Sequence, residues 1–334
     1  MLTAIDLCAG IGGFHLAGDQ LGINFVYAND FEPTCQYTYD LNFGAGSLHV
    51  QDLCSIGEKD IPSHDLLCAG FPCQPFSMAG KKDGFNDPRS GVFFKIVSIL
   101  KYHQPKYFIL ENVKNLKTHD KGNSIKRILA CLTDTGYHVH SEILRSYDFG
   151  IPQNRERLFL IGIRQDLHDV NLFSAIHRSS DKGLPSTLIE AHVDDKYYYH
   201  TDSTIYPKLV EDITKDINTQ TIYQFRRHYV RENKNELCPT LTANMGTGGH
   251  NVPIILDTQG YRKLTPRECL RFQGYPESYK LPQISDSHLY KQIGNSVTVP
   301  VIKAIMCEIL SHLSDSNLCK TRGKIKLVLT KKVM

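Results

Sequence analysis

The chain has 334 residues, 41% of them hydrophobic and 22% charged, a globular balance that allows one large domain or two unequal ones. No run of about 18 apolar residues occurs, so no membrane span is expected, and Met1–Asp6 enters a strand-like run without a basic leader, which argues against a signal peptide. A net charge of +3 is too small to declare a nucleic-acid binder, and ten scattered cysteines without a Cys-x-x-Cys pair argue against a zinc site or a disulfide scaffold and fit a reducing cytosol.

In chain order, Thr3 to Cys8 reads as a strand that runs through Ala9-Gly10-Ile11-Gly12-Gly13 into a helix beginning near Phe14. Strand, glycine turn and helix open a nucleotide-type site. A dinucleotide fingerprint would need Gly or Ala at position 15, where His15 stands, and no Lys-Ser/Thr follows, so a ligand without a pyrophosphate is expected. A second strand over 24–28 ends at Asp30 and Phe31, an acid placed to take ribose hydroxyls beside an aromatic ring placed to lie on adenine. The plainer alternative for Asp30 is a helix N-cap. Asp52 follows the next short strand. Three successive strand ends thus suggest an adenosine pocket.

The run Leu66 to Gly70 is a buried strand that ends at Phe71-Pro72-Cys73-Gln74-Pro75. Two prolines hold Cys73 on a stiff, non-helical elbow at the carboxyl end of a strand, the ligand edge of a parallel sheet. The polar, glycine-punctuated stretch 74–91 reads as a mobile lid, and a helix is expected over 92–103. Tyr107 to Leu110 then leads into Glu111, which places a carboxylate on the same edge as Cys73. Directly after an apolar run it is partly desolvated, which suits it to give a proton near neutral pH. A structural, hydrogen-bonded acid is the plainer alternative. After a helix over 124–135, Arg155 and Arg157 alternate on a strand and so share one face, suited to a phosphate or a polar base edge, or simply to surface ion pairs.

From about 170 to 220 the pattern weakens, as in a separate, irregular domain. Arg226, Arg227, Arg231 and Lys234 form a basic cluster with aromatic neighbours, followed by Thr240, Thr242 and a loop with Gly248 and Gly249. The basic tail from Cys319 reads as a solvated surface. Thr265-Pro266-Arg267-Glu268 is a capping box. Gln292 to Ser296 precedes an apolar helix over 301–313, long enough to pack back on the first domain.

These blocks, in this order, resemble the C5-cytosine DNA methyltransferases of bacterial restriction–modification systems, and the likeness covers nearly the whole chain. The resemblance implies an α/β, Rossmann-like methyltransferase fold. Its mixed, mostly parallel sheet would span 1–175, with a smaller target-recognition domain over 176–285 and a returning segment over 286–334. It implies Cys73 as nucleophile at C6 of cytosine, Glu111 as the residue that holds and protonates N3, and Arg155 and Arg157 near the flipped base. It implies S-adenosylmethionine, without a metal, held by Asp6, Cys8, Gly10, Gly12, Gly13, Asp30, Phe31, Asp52, Leu53, Pro72, Asn295 and Ser296. Double-stranded DNA would meet Gln74, Ser77, Arg226, Arg227, Arg231, Lys234, Thr240, Thr242, Gly248 and Gly249, at a site of CCGG or CCNGG type. The family further implies a cytoplasmic, nucleoid-associated monomer paired with a restriction endonuclease. Cys8 stands where the family usually has Phe. Three rival readings remain: a tRNA methyltransferase of the same family, an NAD-dependent oxidoreductase, and a catalytically silent DNA-binding protein.

Overall fold

The computed structural model describes residues 1–72, 91–214, 220–247 and 251–330, with side chains to 315. The expected nucleophile Cys73, the DNA contacts Gln74, Ser77, Gly248 and Gly249, the lid up to residue 90 and the basic side chains of the tail lie outside the described residues.

The chain runs through β1 (Thr3–Leu7), α1 (Gly13–Asp19), β2 (Asn24–Asp30), α2 (Pro33–Phe43), β3 (His49–Val50) and β4 (Leu66–Gly70). It continues with α3 (Gly91–His103), β5 (Tyr107–Val113), α4 (Asn123–Thr133), β6 (Tyr137–Arg145), β7 (Gln153–Asn154) and β8 (Glu156–Arg164). Seven strands form one sheet in the order β3-β2-β1-β4-β5-β8-β6. The strands from β3 to β5 are parallel, while β8 enters antiparallel between β5 and β6. Their sequences read as continuous apolar runs because both faces are covered. Leu66 and Cys68 join α1 and the C-terminal helix on one face, while Leu67 and Ala69 pack with Phe93, Ile96 and Leu100 of α3 and Ile128 and Leu132 of α4 on the other. The antiparallel insertion is set partly by Gly162: a Cβ there would lie 1.9 Å from the ring of Phe108, its register partner on β5.

The weakly patterned region forms α5 (Tyr206–Asp212), β9 (Tyr223–Arg226), β10 (Tyr229–Glu232), β11 (Cys238–Pro239), β12 (Ile254–Asp257) and β13 (Gly260–Lys263). A second sheet, β10-β9-β12-β13, packs on α5 through Ile205, Leu209, Tyr223, Val230 and Ile254. The strand β11 pairs with β7 and tethers this region to the large sheet. The wholly buried Arg262 on β13 contacts Asp257 at 2.7 Å and Glu268 at 2.8 Å. Glu268 belongs to α6 (Pro266–Arg271), which starts with the expected capping box.

Two helices close the chain, α7 (Asp286–Asn295) and α8 (Val299–Thr330). The stretch Asp286–Asp315 is long and apolar enough to cross a membrane, although no uninterrupted apolar run announces it in the sequence. Its apolar residues Ile302, Ile305, Met306 and Ile309 are core residues of the large domain. Residues 264–285 contribute to the main core as well, where Cys269, Leu270, Phe272, Tyr275 and Tyr279 share a cluster with β1 and α8.

Candidate active site

Strand order reverses between β1 and β4, and ligands of open α/β sheets bind in the crevice beyond such a switch point. A cleft lies there. Its walls come from the turn after β1 (Cys8 to Gly10), the end of β2 (Asp30 and Phe31), the exit of β4 (Gly70 to Pro72), the end of β5 (Glu111 to Val113), Arg155, Arg157 and the end of α7 (Lys291 to Val297).

The turn after β1 is shaped by backbone geometry. Cys8 and Gly10 both have φ of 55° and Gly12 has φ of 75°, the left-handed region that disfavours side chains. Cys8 holds this conformation without glycine's freedom, and burial together with Asp30 and Asp6 raises its thiol pKa. Gly13 is required by packing: a Cβ would lie 2.5 Å from Val297 and 3.2 Å from the Ser296 hydroxyl. Asp6 is wholly buried beneath the turn, and its carboxylate oxygens have no hydrogen-bond partner among the described residues. Desolvation pushes its pKa well up, and the nearby His15 N–H favours the charge only partly.

Asp30 joins two segments. Its Oδ2 accepts from the Gly10 N–H at 2.8 Å and its Oδ1 from the Glu32 N–H at 2.9 Å. Desolvation raises its pKa against these bonds. Phe31 beside it is 74% exposed, a ring face left open at the cleft. Asn295 and Ser296 lie on the opposite wall. Asp52 and Leu53 are not brought to the wall. Asp52 caps a short 3-10 turn by accepting from the Cys54 N–H at 2.9 Å, and Leu53 is buried in the core. Asp52 is still close enough to oppose ionisation of Cys8.

Glu111 is the register partner of Gly70, so its carboxylate stands beside the strand that leads to Cys73. The carboxylate has a charged partner in this half-buried position: the Arg157 Nε lies 3.0 Å from its Oε1. Neighbouring Asn112 donates to the Phe71 carbonyl at 2.9 Å and so holds the exit of β4. Arg155 and Arg157 both line the cleft but do different work. The buried Arg155 donates to the carbonyls of Leu241 at 2.7 Å, Gly294 at 3.4 Å and Ser296, which leaves it as a clamp between loops. Burial, then the charge of Arg157, lowers its pKa to about 9.

The expected DNA contacts lie apart from this cleft. Arg226 ends β9 and Arg227 begins the turn of the β9–β10 hairpin, both exposed, with Arg227 at φ of 44°. Arg231 donates to Asn233 at 3.2 Å, and Lys234 is exposed. Thr240 donates to the Asn154 carbonyl at 2.5 Å, whereas Thr242 is exposed at the start of a short turn over Ala243–Gly246. Reasoning from sequence missed Glu32, Asn112, Lys291 and Gln292 on the cleft wall. Their adjacency to the motif residues was the available signal.

The family model described as C-5 cytosine-specific DNA methylase matches residues 2–311. The chain belongs to this family. The methylase is 46% identical over 310 residues to the type II methyltransferase M.Bsp6I of Bacillus sp. (strain RFL6), covering 91% of this chain and 97% of that protein. It is 38% identical over 330 residues to the type II methyltransferase M.HhaI of Haemophilus parahaemolyticus, covering 94% and 95%. Among solved structures, S. pombe Dnmt2 methyltransferase matches with a TM-score of 0.73 over 94% of this chain and 99% of that one, at 22% identity, a likeness of fold alone. The methylase is therefore a DNA (cytosine-5-)-methyltransferase of the type II restriction–modification kind, uses S-adenosylmethionine and acts on DNA. The oxidoreductase reading is overturned by this membership, and type II relatives at this identity do not favour the tRNA reading.

Proposed function

We propose that the methylase transfers a methyl group to C5 of a cytosine turned out of duplex DNA, using the cleft at the switch point as its active site. The supporting observation is the placement of Glu111 opposite Gly70 and 3.0 Å from Arg157, on the edge where the chain runs on to Cys73. The Cys73 thiolate adds to C6 of the base. Glu111, oriented by Arg157, holds the pyrimidine at N3 and supplies the proton that makes C6 electrophilic. Once C5 carries the transferred methyl group, the C5 proton leaves to a base, the Cys73–C6 bond breaks, and N3 gives its proton back as the thiolate is restored. Base flipping is needed because C5 and C6 are otherwise stacked inside the duplex.

The residues present fit S-adenosylmethionine. Asp30 and the open face of Phe31 suit a nucleoside, while Asn295 and Ser296 offer polar groups opposite. The turn at Gly10 has no atom within 4 Å of a built Cβ, which leaves room against the backbone. The cofactor supplies an electrophilic methyl on sulfonium. Asp6 and Asp30 shape the turn that would receive it, and Asp52 and Leu53 support that turn from outside the cleft wall.

Recognition of a site of CCGG or CCNGG type is assigned to the small sheet, with Arg226, Arg227, Arg231 and Lys234 on the hairpin and Thr240, Thr242, Gly248 and Gly249 beyond it. Gln74 and Ser77 would meet the DNA beside the nucleophile. In this reading the enzyme is a monomer that acts on the nucleoid and protects its site from a cognate endonuclease. Methylation of unmodified plasmid with labelled S-adenosylmethionine, followed by mapping of 5-methylcytosine, tests it. Label confined to one short repeated site is expected. Label on tRNA and not on DNA would refute it.

A further inference from the structure

The cleft has a second set of contacts across its walls. Glu32 follows Phe31 and stands at the N-cap of α2, while Lys291 lies on α7 one turn before Asn295. Both line the cleft. The Lys291 Nζ is 2.6 Å from the Glu32 Oε2, with the two side chains 47% and 23% exposed. The other carboxylate oxygen accepts from the Thr34 hydroxyl at 3.1 Å, which fixes its direction. One residue further on, Gln292 joins the same two helices deeper in the protein. It accepts from the Thr38 hydroxyl at 2.7 Å and donates to the Thr34 carbonyl at 2.9 Å.

The walls are thus tied twice, by buried neutral hydrogen bonds at depth and by an exposed ion pair at the rim. These ties behave differently. Opening the buried bonds leaves polar groups unsatisfied, whereas an exposed ion pair exchanges readily with water and salt. We infer that Glu32 and Lys291 form a removable bar across the mouth of the cofactor cleft and set how fast cofactor enters and product leaves. The inference rests on the reading of this cleft as the S-adenosylmethionine site. A bar slows passage in both directions, so its loss speeds association and dissociation together and leaves affinity nearly unchanged. A direct contact to the ligand would instead change dissociation and affinity in step.

The test uses the full-length protein and tritiated S-adenosylhomocysteine. Release is timed after an unlabelled chase, and affinity is measured by calorimetry, for wild type, Glu32→Gln, Lys291→Met and the charge-exchanged pair E32K/K291E. Glu32→Gln is isosteric and retains the bond to Thr34, and Lys291 is exposed, so folding is preserved. Each single variant is expected to speed release about twofold to fivefold, the range an exposed ion pair supports. Kd should hold, salt should speed release from wild type but not from Lys291→Met, and the exchanged pair should restore slow release. Unchanged release, a loss of affinity equal to the gain in release rate, or no recovery in the exchanged pair would overturn the bar. Wild type that binds no S-adenosylhomocysteine would overturn the reading of the cleft itself.

Discussion

Gly294 sits inside α7, where helix propensity alone favours alanine by up to about 1 kcal/mol. The packing says the opposite. A Cβ at Gly294 would lie 2.1 Å from the Thr242 carbonyl carbon, 2.2 Å from its oxygen and 2.5 Å from the Ala243 nitrogen. All three are backbone atoms, so no side chain can swing aside. The facing segment makes the reciprocal demand, since a Cβ at Gly246 would lie 2.4 Å from the Ser287 carbonyl oxygen. Gly294→Ala must therefore lift α7 off 242–246, an overpacking cost of about 1–3 kcal/mol. It also pulls on Arg155, whose guanidinium bonds the Leu241 and Gly294 carbonyls on both sides of this joint. After the full helix gain of about 1 kcal/mol, a net destabilisation of up to about 2 kcal/mol remains. Urea unfolding followed by circular dichroism reads it directly, and S-adenosylhomocysteine affinity should fall with it because Asn295 and Ser296 move. An unfolding midpoint equal to or above that of wild type would refute the reasoning.

Four further outcomes are expected. Cys73→Ser should abolish turnover while DNA retention in a gel shift stays close to wild type; failure of the folded variant to bind DNA would count against the nucleophile assignment. Glu111→Gln should lower kcat by about 10²–10⁴ without weakening S-adenosylhomocysteine binding, and near-normal turnover would remove Glu111 from the chemistry. Arg226→Ala with Arg227→Ala should weaken DNA binding and reduce the slope of log K against log salt by about one for each phosphate left without its arginine; an unaltered slope would place the hairpin off the DNA. Asp6→Asn concerns pH. A carboxylate whose folded pKa lies above its unfolded value stabilises the fold at low pH and loses that contribution as pH rises through the folded pKa. Thermal unfolding should therefore show the stability of Asp6→Asn relative to wild type increasing from acid toward neutral pH, and a difference independent of pH would contradict the buried charge.

The large sheet was legible because β1, β4 and β5 are covered on both faces and so read as unbroken apolar runs ending at Gly10, Pro72 and Glu111. The small sheet was not, since its strands are four residues each and a single weak alternation cannot be told from a loop. Arg155 and Arg157 look alike in sequence, yet one clamps carbonyls and the other faces Glu111. That difference depends on β8 entering beside β5, a matter of topology. The tie between Glu32 and Lys291 spans 259 positions, and no local pattern announces such a contact. Nor does any local pattern announce that Tyr275 and Tyr279, which follow the small sheet in sequence, pack in one cluster with β1 and α8.

The contact of Gly13 with Val297 and Ser296 has a bearing on biosynthesis. The glycine turn leaves the ribosome long before the wall it needs. A nascent chain that has not yet released α7 has only half a cleft, so methylating capacity appears once that segment emerges rather than growing with length. Contacts between such distant positions also slow folding, and messages cut short before this segment yield protein without a complete cleft.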